Sequence, residues 1–383
     1  MQHTSYPVAV IPGDGIGPEL VEAALSVLAA VGSRHGFSLS TTTVDGGAAA
    51  YLRDGVPMTP EAIEVVRRSA ATLKGPVGLP EVRLPDGTEA GLLGGVLRNG
   101  LDLWANVRPI KLLPGIESRV RAEPGDIDYV IVRENTEGLY LARGRGVGNE
   151  RAMTDTLLVT RHGCERIARY AFELAARRSG APADGGHRVT LVDKANVLRS
   201  MFFFREVFLE VAAQYPDIEA ECLYVDAAAQ ALVMRPEHFD VIVTENLFGD
   251  ILSDLGGGTV GGIAMCPSGN VGGALRGDPA RRSSHPADPA YFEPIHGSAP
   301  AIAGRGLANP LSQILAAAMM LDHLGERAGG DDIRDATSAA LAAGDIQIRR
   351  DGSAIGGPDA VSRAVVAHLR GGAPEVEREP STP

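Results

Sequence analysis

The sequence predicts an α/β protein built from two domains. Strand-like apolar runs alternate with helix-like amphipathic stretches along most of the chain. The 383 residues are enough for two domains that each have a full hydrophobic core. Hydrophobic residues make up 44% of the chain and charged residues 22%, which is the balance of an ordinary soluble globular protein.

Apolar runs and capping residues indicate the first elements. Residues 8–11, VAVI, predict a buried strand, and Pro18 suits the first turn of the helix that follows. Thr59 is a typical N-cap and Pro60 a typical first helical residue. A helix is therefore expected in the segment 59–73.

The rest of the chain continues this alternation. Short apolar runs that end in polar residues predict three strands: RVTLVD (188–193), ECLYVD (221–226) and DVIVT (240–244). A further helix is expected with Asn309 as its cap, Pro310 at its start and Gly325 at its end. The composition of residues 269–291 predicts an exposed loop, and that of residues 372–383 a disordered tail.

Charge and cysteine content limit the partners and the location. The formal net charge is −12, so the chain lacks the basic face that nucleic acid requires. The three cysteines, Cys164, Cys222 and Cys266, have no spacing typical of a disulfide framework or a zinc site. No apolar run reaches the length of a bilayer span, and no secretory signal is recognisable. A cytoplasmic protein without a membrane or nucleic-acid partner is expected.

An acidic pair stands on a predicted helix that is otherwise apolar. Asp250 and Asp254 are four residues apart, so both carboxylates emerge on one helical face. That face is either solvated or holds a cation, because two like charges in a partly buried place repel each other. Hard oxygen ligands favour Mg²⁺ or Mn²⁺, and Asp226 at the end of a predicted strand is a candidate third ligand.

Other charged residues point to a carboxylate substrate. Arg98, Arg108 and Arg133 form a set in which the last two are expected at strand ends, where clefts of α/β proteins form. Guanidinium groups bind carboxylates with two hydrogen bonds, so the set suggests a di- or tricarboxylate, the alternative being plain surface charge. Lys194 and Tyr140 are candidates for proton transfer, the alternatives being a surface lysine and a packed tyrosine.

Six motifs occur in the order of a known family. They read IPGDGIGPE, LDLWANVRP, VRENTEGLY, DKANVL, FGDILSD and EPIHGSAPAIAGRGLANP, and they cover most of residues 7–325. In these motifs the chain resembles the β-hydroxyacid oxidative decarboxylases, which include 3-isopropylmalate, isocitrate, homoisocitrate and tartrate dehydrogenases. The resemblance implies an isopropylmalate dehydrogenase-like fold with two α/β domains around a central cleft, which is not a Rossmann fold.

The resemblance also implies the domain limits. A larger domain would comprise residues 1–107 and 265–371 and would hold the termini and the cofactor loop. A smaller domain of residues 108–264 would hold the metal site and the dimer interface.

Roles follow for the residues that match the family motifs. The substrate carboxylates would bind to Arg98, Arg108 and Arg133, and the rest of the substrate would face Leu92, Gly94, Gly95 and Val197. The metal would bind to Asp250, Asp254 and the partner subunit's Asp226. The partner subunit's Lys194 would help to remove the hydroxyl proton, and Tyr140 would protonate the enol. The dinucleotide would contact Asn246, His296, Gly297, Ser298, Ala299, Ile302 and Asn309.

The implied reaction is the metal-dependent oxidative decarboxylation of a 3-substituted malate to a 2-oxo acid, with reduction of NAD or NADP. An active site shared between subunits implies a homodimer. The substrate is expected to be isocitrate-like, homoisocitrate-like or a specialised analogue, with 3-isopropylmalate or tartrate dehydrogenase as the alternative. A non-catalytic regulatory subunit of an isocitrate dehydrogenase assembly is the alternative from another class. Such subunits typically lose proton-transfer or metal groups, which are all present here.

The substrate segment departs from the family pattern just before Arg98. Isopropylmalate enzymes carry leucines there, isocitrate enzymes a serine and an asparagine, and homoisocitrate enzymes an arginine. This chain has Leu92, Leu93, Gly94 and Gly95 in that region. The paired glycines leave space, which favours a substituent that is bulkier or different in kind.

The cofactor segment departs from the pattern after HGSAP. NAD-dependent members generally have an aspartate there, and NADP-dependent members often have Lys-Tyr. This chain has Ala301 and Ile302, which favours NAD. For NADP, contacts to the 2′-phosphate would have to come from other arginines: Arg305, Arg276, Arg281 and Arg282.

The glycine-rich turn after residues 8–11 resembles a dinucleotide fingerprint only superficially. Its glycines at 13, 15 and 17 give G-x-G-x-G, and Pro18 stands where the third fingerprint glycine belongs. Residues 292–310 are a turn-rich segment whose backbone N–H groups can hold a nucleotide. The dinucleotide is therefore expected at this later segment, with the glycine turn at most lining one edge of the cleft.

Overall fold

A ten-stranded sheet forms the centre of the computed structural model, which describes residues 4–273 and 288–371. Twelve strands are present in these residues: β1 Thr4–Ile11, β2 Phe37–Thr43, β3 Ala71–Lys74, β4 Ala105–Lys111, β5 Asp128–Glu134, β6 Val147–Asn149, β7 Ala152–Thr154, β8 Arg188–Asp193, β9 Glu219–Tyr224, β10 Val241–Thr244, β11 Pro267–Val271 and β12 Ala290–Pro294. The described residues also form ten α-helices: α1 Gly17–His35, α2 Ala48–Asp54, α3 Pro60–Arg68, α4 Arg161–Ala175, α5 Arg199–Ala212, α6 Val225–Met234, α7 Asn246–Thr259, α8 Leu311–Leu324, α9 Arg327–Ala342 and α10 Gly357–Leu369.

The strand order is β2-β1-β3-β12-β11-β4-β5-β10-β8-β9. Neighbouring strands are parallel at both ends of the sheet and antiparallel from β12 through β11 and β4 to β5. This antiparallel centre distinguishes the sheet from a doubly wound Rossmann sheet, whose strands are mostly parallel. The predicted α/β class and the exclusion of a Rossmann fold are confirmed.

The two faces of the sheet are covered differently. On β5, Tyr129 and Ile131 belong to a core that also contains residues of β1, β3, α1 and α8. Val130 and Val132 belong to a separate core beneath α4 and α5. One core therefore runs through both predicted domains, and the division of the chain at residues 107 and 264 stays a prediction.

Most of the predicted elements are present, with shifted ends. Pro18 lies in the first turn of α1, and the Thr59 hydroxyl accepts a hydrogen bond from the Ala62 N–H at the start of α3. The helix predicted over 59–73 stops at Arg68, because β3 takes residues 71–74 into the sheet between β1 and β12. A buried four-residue strand has too few residues to differ in pattern from the end of a helix.

Two other predictions need correction. The strand predicted over 221–226 ends at Tyr224, and Asp226 lies in the first turn of α6. The loop predicted over 269–291 overlaps β11 and β12, which pair antiparallel in the middle of the sheet. Two segments lie outside the described residues: 274–287, which contains three of the four arginines named for NADP, and the predicted tail of residues 372–383.

The helix predicted from Asn309 to Gly325 and the state of the three cysteines agree closely with the sequence analysis. The Asn309 side chain accepts a hydrogen bond from the Leu311 N–H at 3.1 Å, and Gly325 ends α8 in a left-handed conformation. All three cysteines are free thiols. Within the described stretches no helix is both long and apolar enough to span a bilayer.

Candidate active site

Two of the three predicted arginines lie side by side on the central sheet. Arg108 belongs to β4 and Arg133 to β5, and the antiparallel register places Asn106 opposite Arg133. Residues that face each other across two strands lie on the same side of the sheet, and so do residues two apart on one strand. Because Arg108 is two residues from Asn106, both guanidinium groups lie on the same side. The sequence placed both arginines at strand ends. Arg133 is the last residue but one of β5, whereas Arg108 lies in the middle of β4, and both are buried.

Both arginines bind one carboxylate of α7. Arg133 forms an ion pair with Asp250, and the Arg108 Nη1 lies 3.2 Å from the Asp250 Oδ1. The Tyr140 hydroxyl donates a hydrogen bond to the Asp250 Oδ2 at 2.9 Å. Burial opposes the charged form of Asp250, but the two guanidinium groups outweigh it and lower the pKa to about 2. Asp250 is therefore ionised at neutral pH.

The third arginine reaches the same region from a different element. Arg98 lies in a π-helical turn over residues 95–99, a conformation that is frequent at functional sites. Its Nε donates a hydrogen bond to the Tyr291 hydroxyl at 2.8 Å, and its Nη2 lies 3.2 Å from the Glu293 Oε1. The structure thus brings all three arginines of the predicted set into one cluster.

The sequence analysis missed the residues that hold this cluster from beneath. Lys74 at the end of β3 forms an ion pair of 2.5 Å with the Glu293 Oε2, and both side chains are almost completely buried. Asn270 on β11 donates a hydrogen bond to the Glu293 Oε1 at 3.1 Å and accepts one from Asn106 at 2.8 Å. The only sequence feature that pointed to Lys74 was its position at the end of the short segment ATLK. A lysine at such a position is equally typical of the protein surface.

Glu293 supplies a stability prediction with a defined pH dependence. Burial opposes its charged form, but Lys74 and Arg98 outweigh it and lower the pKa from 4.5 to about 2. The lowered pKa corresponds to about 3 kcal/mol of folding free energy. Because the folded-state pKa is depressed, this contribution is complete above pH 4.5 and is lost as the pH falls towards 2.

Glu293→Gln is expected to lower the free energy of unfolding at pH 7 by about 3 kcal/mol. Its stability should also decline less steeply than that of the wild type between about pH 4.5 and pH 2, the range in which the unfolded chain has bound the proton and the folded protein has not. Urea unfolding at several pH values measures both effects. Parallel pH profiles of the two proteins would contradict the assignment.

The acidic pair lies on the first turns of α7. The Glu245 side chain caps this helix by accepting hydrogen bonds from the Leu247 and Phe248 N–H groups. Asp254 is half-exposed, and burial raises its pKa, with the neighbouring Asp250 adding to the effect. A divalent cation fits this pair because it would relieve the repulsion between two hard oxygen donors. No third acidic, histidine or cysteine side chain joins them within the described part of the chain.

Lys194 and Asp226 form a separate pair on the same chain. The Lys194 Nζ lies 2.6 Å from the Asp226 Oδ1, and the Asp226 side chain is 70% exposed. Val197 follows in the same segment and is 69% exposed. Among the described residues, no hydrogen bond or ion pair joins this group to Asp250 or Tyr140.

The predicted nucleotide segment follows β12 as a compact loop. Ala299 has a φ of 38°, a left-handed conformation that a residue with a side chain seldom adopts. The His296 Nδ1 lies 2.9 Å from the Gly297 carbonyl oxygen, which can only accept, so the Nε2 is the acceptor of the ring. That Nε2 is buried and has no hydrogen-bond partner among the described residues. An orphaned acceptor beside a strained backbone fits a loop that holds a polar ligand such as a dinucleotide.

Three predicted cofactor contacts have partners within the protein. The Asn246 side-chain oxygen accepts hydrogen bonds from the Arg133 Nε and Nη2, so Asn246 also holds that arginine in place. The Asn309 side-chain oxygen accepts a hydrogen bond from the N–H of Leu311, the first residue of α8, and Pro310 takes the N-cap position predicted for Asn309. Ile302 packs with Ile16 in a small apolar cluster next to α1.

The substrate segment leaves open space next to Arg98. A Cβ at Gly95 would meet no atom within 4 Å, and one at Gly94 would meet only the Arg98 Cδ at 3.9 Å. Leu93 is buried in the core beneath this segment, whereas Leu92 is half-buried and lies close to Gly78. Of the two leucines, only Leu92 stays available to a ligand.

Comparison with known proteins agrees with this arrangement. The family model for isocitrate/isopropylmalate dehydrogenase matches residues 7–351. A 3-isopropylmalate dehydrogenase from Corynebacterium efficiens is 42% identical over 365 residues, which cover 94% of this chain and 99% of the relative. A probable tartrate dehydrogenase/decarboxylase from Agrobacterium vitis is 41% identical over 346 residues, covering 88% of this chain and 91% of the relative.

A solved structure extends the similarity to the fold. The isocitrate dehydrogenase from Methylococcus capsulatus matches with a TM-score of 0.81 at 37% identity, and the match covers 95% of this chain and 99% of that one. The family expected from the six motifs is thereby confirmed. The chain belongs to the isocitrate/isopropylmalate dehydrogenase family and is a decarboxylating dehydrogenase that acts on a CH–OH group.

Proposed function

We propose that the protein oxidises and decarboxylates a 3-substituted malate, producing a 2-oxo acid and reduced NAD. The observation that carries this proposal is the cluster of three arginines and one lysine around Asp250 and Glu293. Hydride leaves the hydroxyl-bearing carbon, and the carboxylate β to the new ketone then leaves as CO₂. Because the complete set of proton-transfer and acidic residues is present, the regulatory-subunit alternative is not proposed.

The charges of the cluster favour a substrate with several carboxylates. Its four cations, Lys74, Arg98, Arg108 and Arg133, are paired with three carboxylates: Glu293, Asp250 and Asp254. A divalent cation next to the two aspartates would increase the excess of positive charge. Buried cations need compensating anions, so a di- or tricarboxylate is the expected ligand.

We assign the metal to Asp250, Asp254 and the partner subunit's Asp226. Mg²⁺ or Mn²⁺ would supply Lewis-acid polarisation of the substrate hydroxyl and its neighbouring carboxylate. The protein's own contribution is orientation, since Arg108 and Arg133 fix the Asp250 carboxylate from one side and Tyr140 from the other.

Proton transfer is assigned to Tyr140 and to the partner subunit's Lys194. Burial and the neighbouring Asp250 raise the pKa of Tyr140, so its hydroxyl is protonated at neutral pH and can deliver a proton to the enol. On its own chain Lys194 pairs with Asp226, which is also assigned to the neighbouring site. A partner subunit would therefore bring both residues together.

The dimer proposal rests on exposed apolar side chains. The segments that carry Lys194, Asp226 and Asp250 expose several large hydrophobic residues: Val197, Leu198, Val233, Met234 and Ile251. The hairpin of β6 and β7 stands apart from the main sheet and exposes Val147 and Met153. Apolar groups spread over these segments favour a self-complementary interface of two copies. Ile251 on α7 is 57% exposed, and a partner subunit would bury it.

The dinucleotide is assigned to the loop over residues 296–302 and to Asn309, with NAD preferred over NADP. The position after HGSAP carries no lysine or tyrosine for a 2′-phosphate. The Arg305 Nη1 lies 3.4 Å from the Ala301 carbonyl oxygen, and this arginine is the one cation in the described part of the loop that could favour NADP. When bound, the dinucleotide serves as the hydride acceptor. A cytoplasmic location stays a prediction from the sequence.

A substrate panel tests the proposal. Purified protein is assayed with isocitrate, homoisocitrate, 3-isopropylmalate and tartrate, each with Mg²⁺ and with NAD or NADP, by the absorbance of the reduced dinucleotide. We expect the highest kcat/KM with isocitrate, homoisocitrate or a related acid, and a lower KM for NAD than for NADP. High efficiency with 3-isopropylmalate alone would overturn the substrate proposal.

Gly95→Leu provides a matched variant for the same panel. A leucine would fill the open space at Gly95, so the kcat/KM for acids with long substituents should fall by roughly tenfold or more. Tartrate, whose substituent is only a hydroxyl group, should be affected least. An equal loss with all four acids would show that this space does not receive the substituent.

A further inference from the structure

The glycine turn between β1 and α1 contains a buried carboxylate to which the motif comparison assigns no role. Asp14 is 4% exposed, and no arginine, lysine or histidine pairs with it among the described residues. Its carboxylate instead accepts hydrogen bonds from three backbone N–H groups. The donors are Ala48 at 2.8 Å and Ala49 at 3.0 Å, both in the first turn of α2, and Gly78 at 2.7 Å.

The same turn is bound directly to the nucleotide loop. The Ile16 N–H donates to the Ser298 carbonyl oxygen at 2.8 Å, and the Asp14 N–H donates to the Pro76 carbonyl oxygen at 2.9 Å. The Ser298 hydroxyl donates to the Gly78 carbonyl oxygen. A closed ring of hydrogen bonds thus joins the turn, residues 76–78 and Ser298. Asp14 belongs to the turn and is hydrogen-bonded to residues 76–78 through both its backbone N–H and its side chain.

The glycines of the turn are required by this close packing. A Cβ at Gly13 would lie 2.1 Å from the Pro76 carbonyl oxygen, and one at Gly15 would lie 2.1 Å from the Ser298 carbonyl oxygen. Both glycines also have positive φ angles, which side-chain-bearing residues seldom adopt. Since the Ile16 and Gly17 N–H groups are already bonded and Pro18 has none, the start of α1 offers few free donors to a phosphate.

We propose that Asp14 is a positioning residue for dinucleotide binding: it holds the glycine turn, α2 and residues 76–78 in the arrangement that supports Ser298 and the 296–302 loop. The proposal rests on the assignment of the dinucleotide to that loop. It predicts that loss of the Asp14 charge weakens dinucleotide binding without weakening the site that holds the arginines and the metal.

Asp14→Asn tests this proposal. An amide offers a single acceptor oxygen and turns an NH₂ group towards N–H donors, so at least one of the three hydrogen bonds is lost. We expect the dissociation constant for NAD, measured by calorimetry, to rise about tenfold or more, since small displacements of a binding loop have effects of this size. Binding of Mn²⁺ alone, followed by electron paramagnetic resonance, should change less than about twofold.

Asp240→Asn is the matched control. Asp240 is also fully buried and accepts a hydrogen bond from the Arg188 N–H at 3.3 Å, and it forms an ion pair with Arg178 at 2.7 Å. It lies directly before β10, away from the nucleotide loop. It should lower the thermal stability without a selective effect on NAD. Equal effects of the two variants on NAD affinity would overturn the proposal.

Further measurements separate this proposal from the assigned function. If the wild-type protein binds neither NAD nor NADP, the assigned function fails and the role of Asp14 fails with it. If the wild type binds NAD and Asp14→Asn binds it equally well, only the role of Asp14 fails. If Asp14→Asn does not fold, Asp14→Glu keeps the charge but displaces the carboxylate by one methylene group and should weaken NAD binding in the same direction. Hydrogen exchange of the wild type is a third readout. A freely exchanging Gly78 amide would contradict the proposed hydrogen bond.

Discussion

Asp250→Asn is expected to abolish turnover while the protein stays folded. Asp250 is the carboxylate on which Arg108, Arg133 and Tyr140 converge, and it is also an assigned metal ligand. The amide is a poor ligand for Mg²⁺ and removes the charge that two guanidinium groups compensate. We expect kcat, with the best acid of the substrate panel, to fall by about a thousandfold or more.

Asp322→Asn is the control for that variant. Asp322 lies on α8, is 35% exposed, close to the 37% of Asp250, and likewise forms an ion pair with an arginine, Arg334. The Asp322→Asn variant removes one charge from such an ion pair at a place away from the site, so it is expected to keep its turnover. Near-normal, Mg²⁺-dependent turnover of Asp250→Asn, with circular dichroism and size-exclusion profiles like those of the wild type, would refute the metal assignment.

The second large effect is the recovery of activity when two inactive variants are combined. Lys194→Met and Asp250→Asn should each be inactive as homodimers. In a mixed dimer, one site combines the intact Asp250 of one chain with the intact Lys194 of the other. The second site contains both substitutions. Co-expression with two different affinity tags yields the mixed dimer, which should have about half the activity of the wild-type dimer if the sites act independently.

This experiment separates a shared site from one formed within a single chain. If Lys194 served the Asp250 of its own chain, each site of the mixed dimer would contain one substitution and no activity would return. A mixture of Asp250→Asn with Asp254→Asn is the control, because both aspartates belong to the same helix of one chain. That mixture should stay inactive, since each site then lacks one of its aspartates.

The sequence predicted the site most accurately where a role depends on a local motif. The spacing of Asp250 and Asp254 placed both on one helix, and Lys194 follows directly after β8, as expected. Asn309, Pro310 and Gly325 marked the ends of α8 closely because capping depends on a few neighbouring residues. The predicted ends of helices and strands were less accurate next to a short, fully buried strand such as β3.

Residues that act through contacts distant in the chain were not recognisable. Lys74 and Glu293 are separated by 219 residues and meet because β3 and β12 are neighbours in the sheet. Nothing in the segment ATLK distinguishes a buried, paired lysine from an exposed one. Asp14 was visible as part of a glycine motif, but its donors lie 34 and 64 residues away.

The sequence by itself determined the family and the reaction class, because six ordered motifs match that family, and it supplied the candidate residues of the site. It also indicated that the glycine turn is not a dinucleotide fingerprint. Only the tertiary structure revealed what surrounds those groups. The order of strands in the sheet places Arg108 and Arg133 together at Asp250 and brings Lys74 to Glu293, which also pairs with Arg98. Backbone hydrogen bonds join the glycine turn to the nucleotide loop. Burial and pairing depend on which strands are neighbours, and neighbouring strands here are often far apart in the chain.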